Sequence, residues 1–255
     1  MKVALTIAGS DSIGGAGIQA DLKTFEAFGV FGTSVLTVLT AQNTTGVREI
    51  FEVSPSFVQA QIRAVLEDFE VHAIKIGMLY STQIIRAVKE CIKDLDIPIV
   101  LDPVFISKAG SPLLQPDAIE AMQELFPYVS VITPNLYEAK GLFGYEEGDS
   151  ASLEKLMACG VPVVVKNHIL DMPQGKRSLD LLYANGRKSV FALPALQSAN
   201  LHGTGCSFAS AIAANLALAE PLERAIEIAK KFVHEAILHA PTSGTARGLS
   251  TIKRG

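Results

Sequence analysis

Cysteine, positive charge and long apolar runs are all scarce in this sequence, and each shortage removes a class of protein. There are three cysteines among 255 residues, Cys91, Cys159 and Cys206. Odd in number and far apart, they argue against a disulfide framework and against a zinc site. Lys and Arg number 22 against 26 Asp and Glu, a formal net charge of −4. That balance carries no basic footprint for nucleic acid, although local donors can still hold an anionic small molecule. The apolar run at 3–8 is too short for a signal-peptide core and is broken by Gly9 and Asp11. Nothing approaches the roughly 20 apolar residues of a membrane-spanning helix. The expectation is a soluble, cytoplasmic protein with neither membrane nor nucleic-acid partners. Charged residues make up only 19% against 49% hydrophobic, enough to bury a sizeable core.

What is present is alternation. Strand-length apolar runs at 3–8, 34–39, 72–76, 98–101, 129–132 and 162–165 are interleaved with segments of helical period. A further strand at 48–53 is expected at an edge. Ile18, Leu22, Phe25 and Phe28 recur at helical spacing, as do Val58, Ile62, Val65 and Phe69 after Ser54-Pro55-Ser56. Helices are also expected at 82–92, 117–125, 204–219 and 221–239. Such alternation implies an α/β fold with a mainly parallel central sheet and helices on both faces. Segments 178–183 and 188–193 read as a hairpin, with Asn185-Gly186 supplying the turn. No linker or repeat divides the chain, so residues 1–255 are expected to form one domain.

Open parallel sheets bind ligands beyond the carboxyl ends of their strands. Chemically suggestive residues collect there. Gly9-Ser10-Asp11 follows the first strand, Gly77-Met78 the fourth and Asp102 the fifth, while Thr133-Pro134-Asn135 and Lys166 each follow a strand too. The turn 9–17 holds four glycines. It is neither a dinucleotide G-x-G-x-x-G nor a phosphate loop ending Gly-Lys-Ser/Thr; alone it reads as a tight strand-to-helix turn.

His202-Gly203-Thr204-Gly205-Cys206 is more informative, because an alanine-rich helix follows it. Such a turn exposes backbone N–H groups, which form an anion site together with the helix dipole. Those donors suit a transferring phosphoryl group. Cys206 falls in the first turn, where the dipole is expected to lower a thiol pKa and make it a proton acceptor. Asn135 with Glu138 three residues on fits a capping box, or Glu138 helps hold hydrated Mg²⁺. Asp102, before Pro103, either shapes the turn or orients the ion. Lys166 ends a very apolar strand and either snorkels or reaches a nucleotide phosphate. The Gln42 carboxamide can donate and accept at an aminopyrimidine edge. Met78, Cys91 and Cys159 read as packing, and His72, His234 and His239 have no partners at ligand spacing.

Together these segments resemble the hydroxymethylpyrimidine/phosphomethylpyrimidine kinases of the ribokinase-like superfamily. The resemblance covers nearly the whole chain. Its most specific stretch is Gly14-Gly15-Ala16-Gly17-Ile18-Gln19-Ala20-Asp21-Leu22-Lys23-Thr24. Support comes from Ala41-Gln42-Asn43-Thr44, Lys75-Ile76-Gly77-Met78-Leu79, Leu101-Asp102-Pro103-Val104, Ile132-Thr133-Pro134-Asn135 with Glu138, and 202–206. It implies a ribokinase-like three-layer sandwich and Mg²⁺-ATP-dependent phosphorylation of a pyrimidine alcohol, then of its monophosphate, in thiamine biosynthesis. It also implies a homodimer. By resemblance, Gly9, Asp21, Gln42, Met78 and Val104 line the pyrimidine pocket. Asn135 and Glu138 are tied to Mg²⁺ and phosphate, and Asp102 and Lys166 lie near the ATP phosphates. Gly203, Thr204 and Gly205 supply the anion hole, and Cys206 stands where many ribokinase-like enzymes carry a catalytic aspartate.

The chain departs from the family pattern in four places. The usual Lys-Gly-Gly-His is one residue short, as Lys166-Asn167-His168. Ile13 stands where a small residue is common, Leu201 where Thr is frequent, and the segment after Phe143 is shortened. Two other readings stay open: a pyridoxal kinase of the same superfamily, and a non-catalytic pyrimidine-binding protein.

Overall fold

The computed structural model describes residues 1–240, apart from 44, 108, 109, 116, 174 and 199. Among the described residues, nine strands make one sheet: β1 (Val3–Asp11), β2 (Phe31–Asn43), β3 (Gly46–Glu52), β4 (Ala73–Ile76), β5 (Ile99–Leu101), β6 (Val131–Ile132), β7 (Val163–Met172), β8 (Gly175–Ala184) and β9 (Arg187–Pro194). Their order is β3-β2-β1-β4-β5-β6-β7-β8-β9. The run β2-β1-β4-β5-β6-β7 is parallel, while β3, β8 and β9 each pair antiparallel with their neighbour. The expected edge strand and hairpin are therefore both present, on opposite sides of a parallel centre.

Strand alternation sorts the core into two layers. Leu5, Ile7, Ile74, Ile76, Ile99, Leu101 and Ile132 face α2 (Pro55–Asp68), α3 (Thr82–Ile92), α4 (Ala118–Gln123) and α5 (Leu136–Phe143). Ala4, Ala73, Val100, Val131 and Val164 face α1 (Gly17–Ala27), α7 (Thr204–Ala217) and α8 (Leu222–Leu238). The second layer is built from smaller side chains on the sheet, and α7 answers with Ala209, Ala211, Ala213 and Ala214, all fully buried. Small meets small, so α7 lies close against the sheet, with its first turn at the carboxyl ends of the central strands.

Several boundaries differ from expectation. The short helix α6 (Ser150–Met157), capped by Asp149, was not expected; its few apolar positions make too short a period. Strand β7 runs six residues past Lys166, so this lysine does not end its strand. The β7–β8 ladder shifts register between Val165 and His168, and Asn167 takes a left-handed φ of 69°. A bulge, not a terminus, turns Lys166 out of the ladder. Among the described residues, no helix is long and apolar enough to cross a membrane.

The α7 contact makes a simple test. Ala213→Leu should cost about 1–3 kcal/mol by overpacking, measured by urea unfolding. Leu218→Ala, at the exposed end of the helix, should stay within about 0.5 kcal/mol of wild type.

Candidate active site

A cavity of about 460 Å³ opens where the central strands meet the start of α7. Its floor comes from two backbones pressed together. Gly203 has φ 82°, and a Cβ there would fall 1.8 Å from the Gly15 carbonyl oxygen. Only glycine permits that contact between the β1–α1 loop and the α7 entry. At Gly205 a Cβ would sit 3.3 Å from Lys166 Nζ and 3.9 Å from Asp102 Oδ2, so the missing side chain leaves open space before both charges. Among the described residues the N–H groups of Gly205 and Cys206 have no acceptor, whereas Ser207 N–H donates to Gly203 O. Two amides and the positive end of α7 therefore face the cavity beside Lys166, as an anion site requires.

Around this point the charges are buried and ordered. Lys166 Nζ donates to Asp102 Oδ1 at 2.6 Å, and Thr133 Oγ1 donates to the same oxygen at 3.2 Å. Burial works against the Lys166 ammonium, but Asp102 and Glu138 outweigh it and hold its pKa above the ordinary value. Glu138 completes a true capping box: its Oε2 accepts from Asn135 N–H at 2.8 Å, and Asn135 Oδ1 accepts from Glu138 N–H at 3.0 Å. Burial, with the Asp102 charge adding to it, lifts Glu138 from 4.5 to about 7 despite Lys166 and the backbone donors. The capping role and the site role thus fall on the same side chain.

Two expectations need correction. Asp21 does not line the cavity. It is fully buried, accepting from Thr6 Oγ1 and Ser210 Oγ, each at 2.6 Å, and from Lys75 Nζ at 2.9 and 2.8 Å. What it presents to the cavity is Lys75, which lines the wall. Burial opposes the Lys75 charge, but Asp21 overrides it and keeps the amine protonated. Cys206 does line the cavity, but its thiol is not lowered. Burial pushes it up to about 11, with Asp21 and Asp102 adding to the rise, against a smaller pull from Lys75. At neutral pH it rests as a thiol: desolvation has overridden the helix dipole.

The other expected residues come together. Gly9, Gln42, Met78 and Val104 line the apolar end of the cavity. Gln42 Oε1 accepts from Thr40 Oγ1 at 3.2 Å, and among the described residues its amide nitrogen has no partner. Thr44, quoted with Gln42 above, lies outside the described residues. Sequence reasoning quoted Lys75, Asp11 and His202 within motifs but gave none of them a role of its own. Asp11 accepts from the N–H groups of Ile13, Gly15 and Ala16, and lies 2.8 Å from His202 Nε2. Burial alone would raise its pKa, yet His202 and the amides bring it below the usual carboxylate range. A lone lysine in the all-buried strand Ala-Ile-Lys-Ile was the available signal for Lys75.

A second, smaller cavity of about 170 Å³ adjoins the first, between the β7–β8 bulge and α8. Lys166, Asn167, Leu201, Thr204 and Gly205 line both. Two compartments therefore meet at the amides and the lysine.

The chain matches the phosphomethylpyrimidine kinase family over residues 11–250. It belongs to that family. It is 43% identical to the hydroxymethylpyrimidine/phosphomethylpyrimidine kinase of Haemophilus influenzae, an alignment covering 97% of this chain and 95% of that protein. The phosphomethylpyrimidine kinase of Clostridium difficile 630 superposes with a TM-score of 0.79 at 38% identity, over 93% of this chain and 100% of that one. An ADP complex of Bacillus subtilis pyridoxal kinase gives 0.85 at 33% identity, over 98% and 97%. The fold is ribokinase-like, as in these phosphomethylpyrimidine kinase relatives.

Glu138 provides a pH test. Its folded-state pKa lies above its unfolded value, so folding takes up a proton between about pH 4.5 and 7. Its contribution to stability is full below that window and falls as pH rises through it. Glu138→Gln should flatten this part of the ligand-free stability profile and raise Tm at pH 8 relative to wild type, measured calorimetrically.

Proposed function

We propose that this chain uses ATP to phosphorylate the hydroxymethyl group of 4-amino-5-hydroxymethyl-2-methylpyrimidine, and then the resulting monophosphate, in thiamine biosynthesis. One observation carries the reading: two cavities of unequal character share a wall made of the α7 start and Lys166. The pyrimidine fits the larger one, between Met78 and Val104, with the free Gln42 amide meeting its polar edge. The smaller one, about 170 Å³, takes only part of the nucleotide, whose phosphates are directed toward Lys166.

Phosphoryl transfer passes through a loose transition state, so catalysis is mostly positioning and charge stabilisation. The Gly205 and Cys206 amides receive the charge that develops on the transferring group. Lys166, steadied by Asp102, bridges the nucleotide phosphates. Asp102 and Glu138 offer two carboxylates, and the described residues hold no metal-binding cluster of three His, Cys, Asp or Glu side chains. That donor set suits a hard cation such as Mg²⁺ better than a softer metal; Asp102 and Glu138 would hold it, and it would supply neutralisation of phosphate charge. The substrate hydroxyl oxygen bonds to the γ-phosphorus, ADP leaves, and the hydroxyl proton passes to Cys206 in its minor thiolate form, which Lys75 stabilises.

The high thiol pKa gives this step a signature. The rate constant kcat should rise with pH above 7 in wild type. Cys206→Ala should lower kcat about a hundredfold and abolish the rise, with pyrimidine affinity unchanged; an unaltered kcat would remove Cys206 from the mechanism.

A second reading has support in the pyridoxal kinase superposition. A coupled ATPase assay comparing kcat/KM for hydroxymethylpyrimidine, its monophosphate and pyridoxal decides between them, and a clear preference for pyridoxal overturns the first. On family resemblance the enzyme is a homodimer, which sedimentation at micromolar concentration tests.

A further inference from the structure

The β7–β8 bulge poses a problem that the transfer chemistry does not solve. Lys166 must leave the ladder to reach the junction of the cavities, and Asn167 must take a left-handed turn to allow it. The register shift takes Asn167 N–H out of the ladder. Its acceptor is instead a side chain: Asp180 Oδ1 on β8, at 3.1 Å. The other oxygen, Oδ2, accepts from Lys230 Nζ on α8 at 2.8 Å. Asp180 is 5% exposed and Lys230 8%.

We propose that the Asp180–Lys230 pair is a positioning device, which fixes the Asn167 backbone and thereby aims Lys166 at the nucleotide phosphates. This rests on the reading that the smaller cavity takes the nucleotide. Two observations and one general argument support it. Each Asp180 oxygen already has a protein donor, which suits it to holding the bulge and not to capturing a ligand. Lys166 N–H donates to Pro134 O at 2.9 Å, so the bulge is held from the segment after β6 on one side and from β8 and α8 on the other. Finally, a buried ion pair rarely stabilises a fold more than apolar residues of the same volume. Its use here is geometric: it supplies the acceptor that the interrupted ladder lacks, and Lys230 holds that acceptor in place.

Two charge-neutral double variants separate the acceptor from the charge. Asp180→Asn with Lys230→Gln keeps an oxygen for Asn167 N–H; Asp180→Leu with Lys230→Met does not. ADP affinity is measured by calorimetry, pyrimidine affinity separately, and KM for ATP and kcat by steady-state assay. The Leu/Met pair should weaken ADP binding and raise KM for ATP by about tenfold, with pyrimidine affinity within about twofold of wild type. The Asn/Gln pair should stay within about threefold of wild type for ADP. Equal losses in both pairs, no loss in the Leu/Met pair, or a matching loss of pyrimidine affinity would overturn the proposal. If the Leu/Met pair does not fold, Asp180→Ala with Lys230→Gln withdraws the acceptor with less change and is read by the same criteria. A wild-type protein that binds ADP but does not turn over the pyrimidine would refute the function above. The ADP contrast would still decide the clamp.

Discussion

The close approach of α7 to the sheet is the constraint from which the site follows. Alanines on the helix meet alanines and valines on one sheet face, while leucines and isoleucines fill the other. A bulkier face would lift the helix, and its first turn would no longer meet the strand ends. The same approach forces Gly203 against Gly15, coupling the first loop of the chain to a helix almost two hundred residues later. The exposed amides at the start of α7 are thus a product of side-chain volume as much as of backbone polarity.

Charge is the second organising feature. Three buried cation–carboxylate pairs, Lys75–Asp21, Lys166–Asp102 and Lys230–Asp180, surround the start of α7. Each joins elements that are distant in sequence. Desolvation makes such pairs costly relative to apolar packing, and here each fixes a polar group that lines a cavity. The arrangement preorganises the field before any substrate enters, so little reorganisation is needed when charge develops.

Much of this was legible in the sequence, for physical reasons that differ from place to place. Alternating strands and helices fixed the parallel sheet, and the turn before an alanine-rich helix pointed to the unbonded amides at the start of α7. Asn135 and Glu138 carried a local signal, because a capping box involves only neighbours. Asp21 was misplaced because its pocket role came by resemblance alone, although Ile18, Asp21 and Phe25 already share one buried helix face. Cys206 was placed correctly but given the wrong protonation state; the helix dipole is visible in sequence, whereas the burial that outweighs it comes from elements elsewhere in the chain. The bulge at Asn167 was hidden for a similar reason. Its acceptor is thirteen residues away on the next strand, and only the register shift reveals the need for it.

The resting state of the cysteines reaches beyond catalysis. Burial raises all three thiols, Cys91, Cys159 and Cys206, above their usual range. Oxidation by peroxide begins from the thiolate, which is the scarce form at each position. The Cys206 sulfur therefore lines the cavity mainly as a thiol, the form that peroxide attacks slowly.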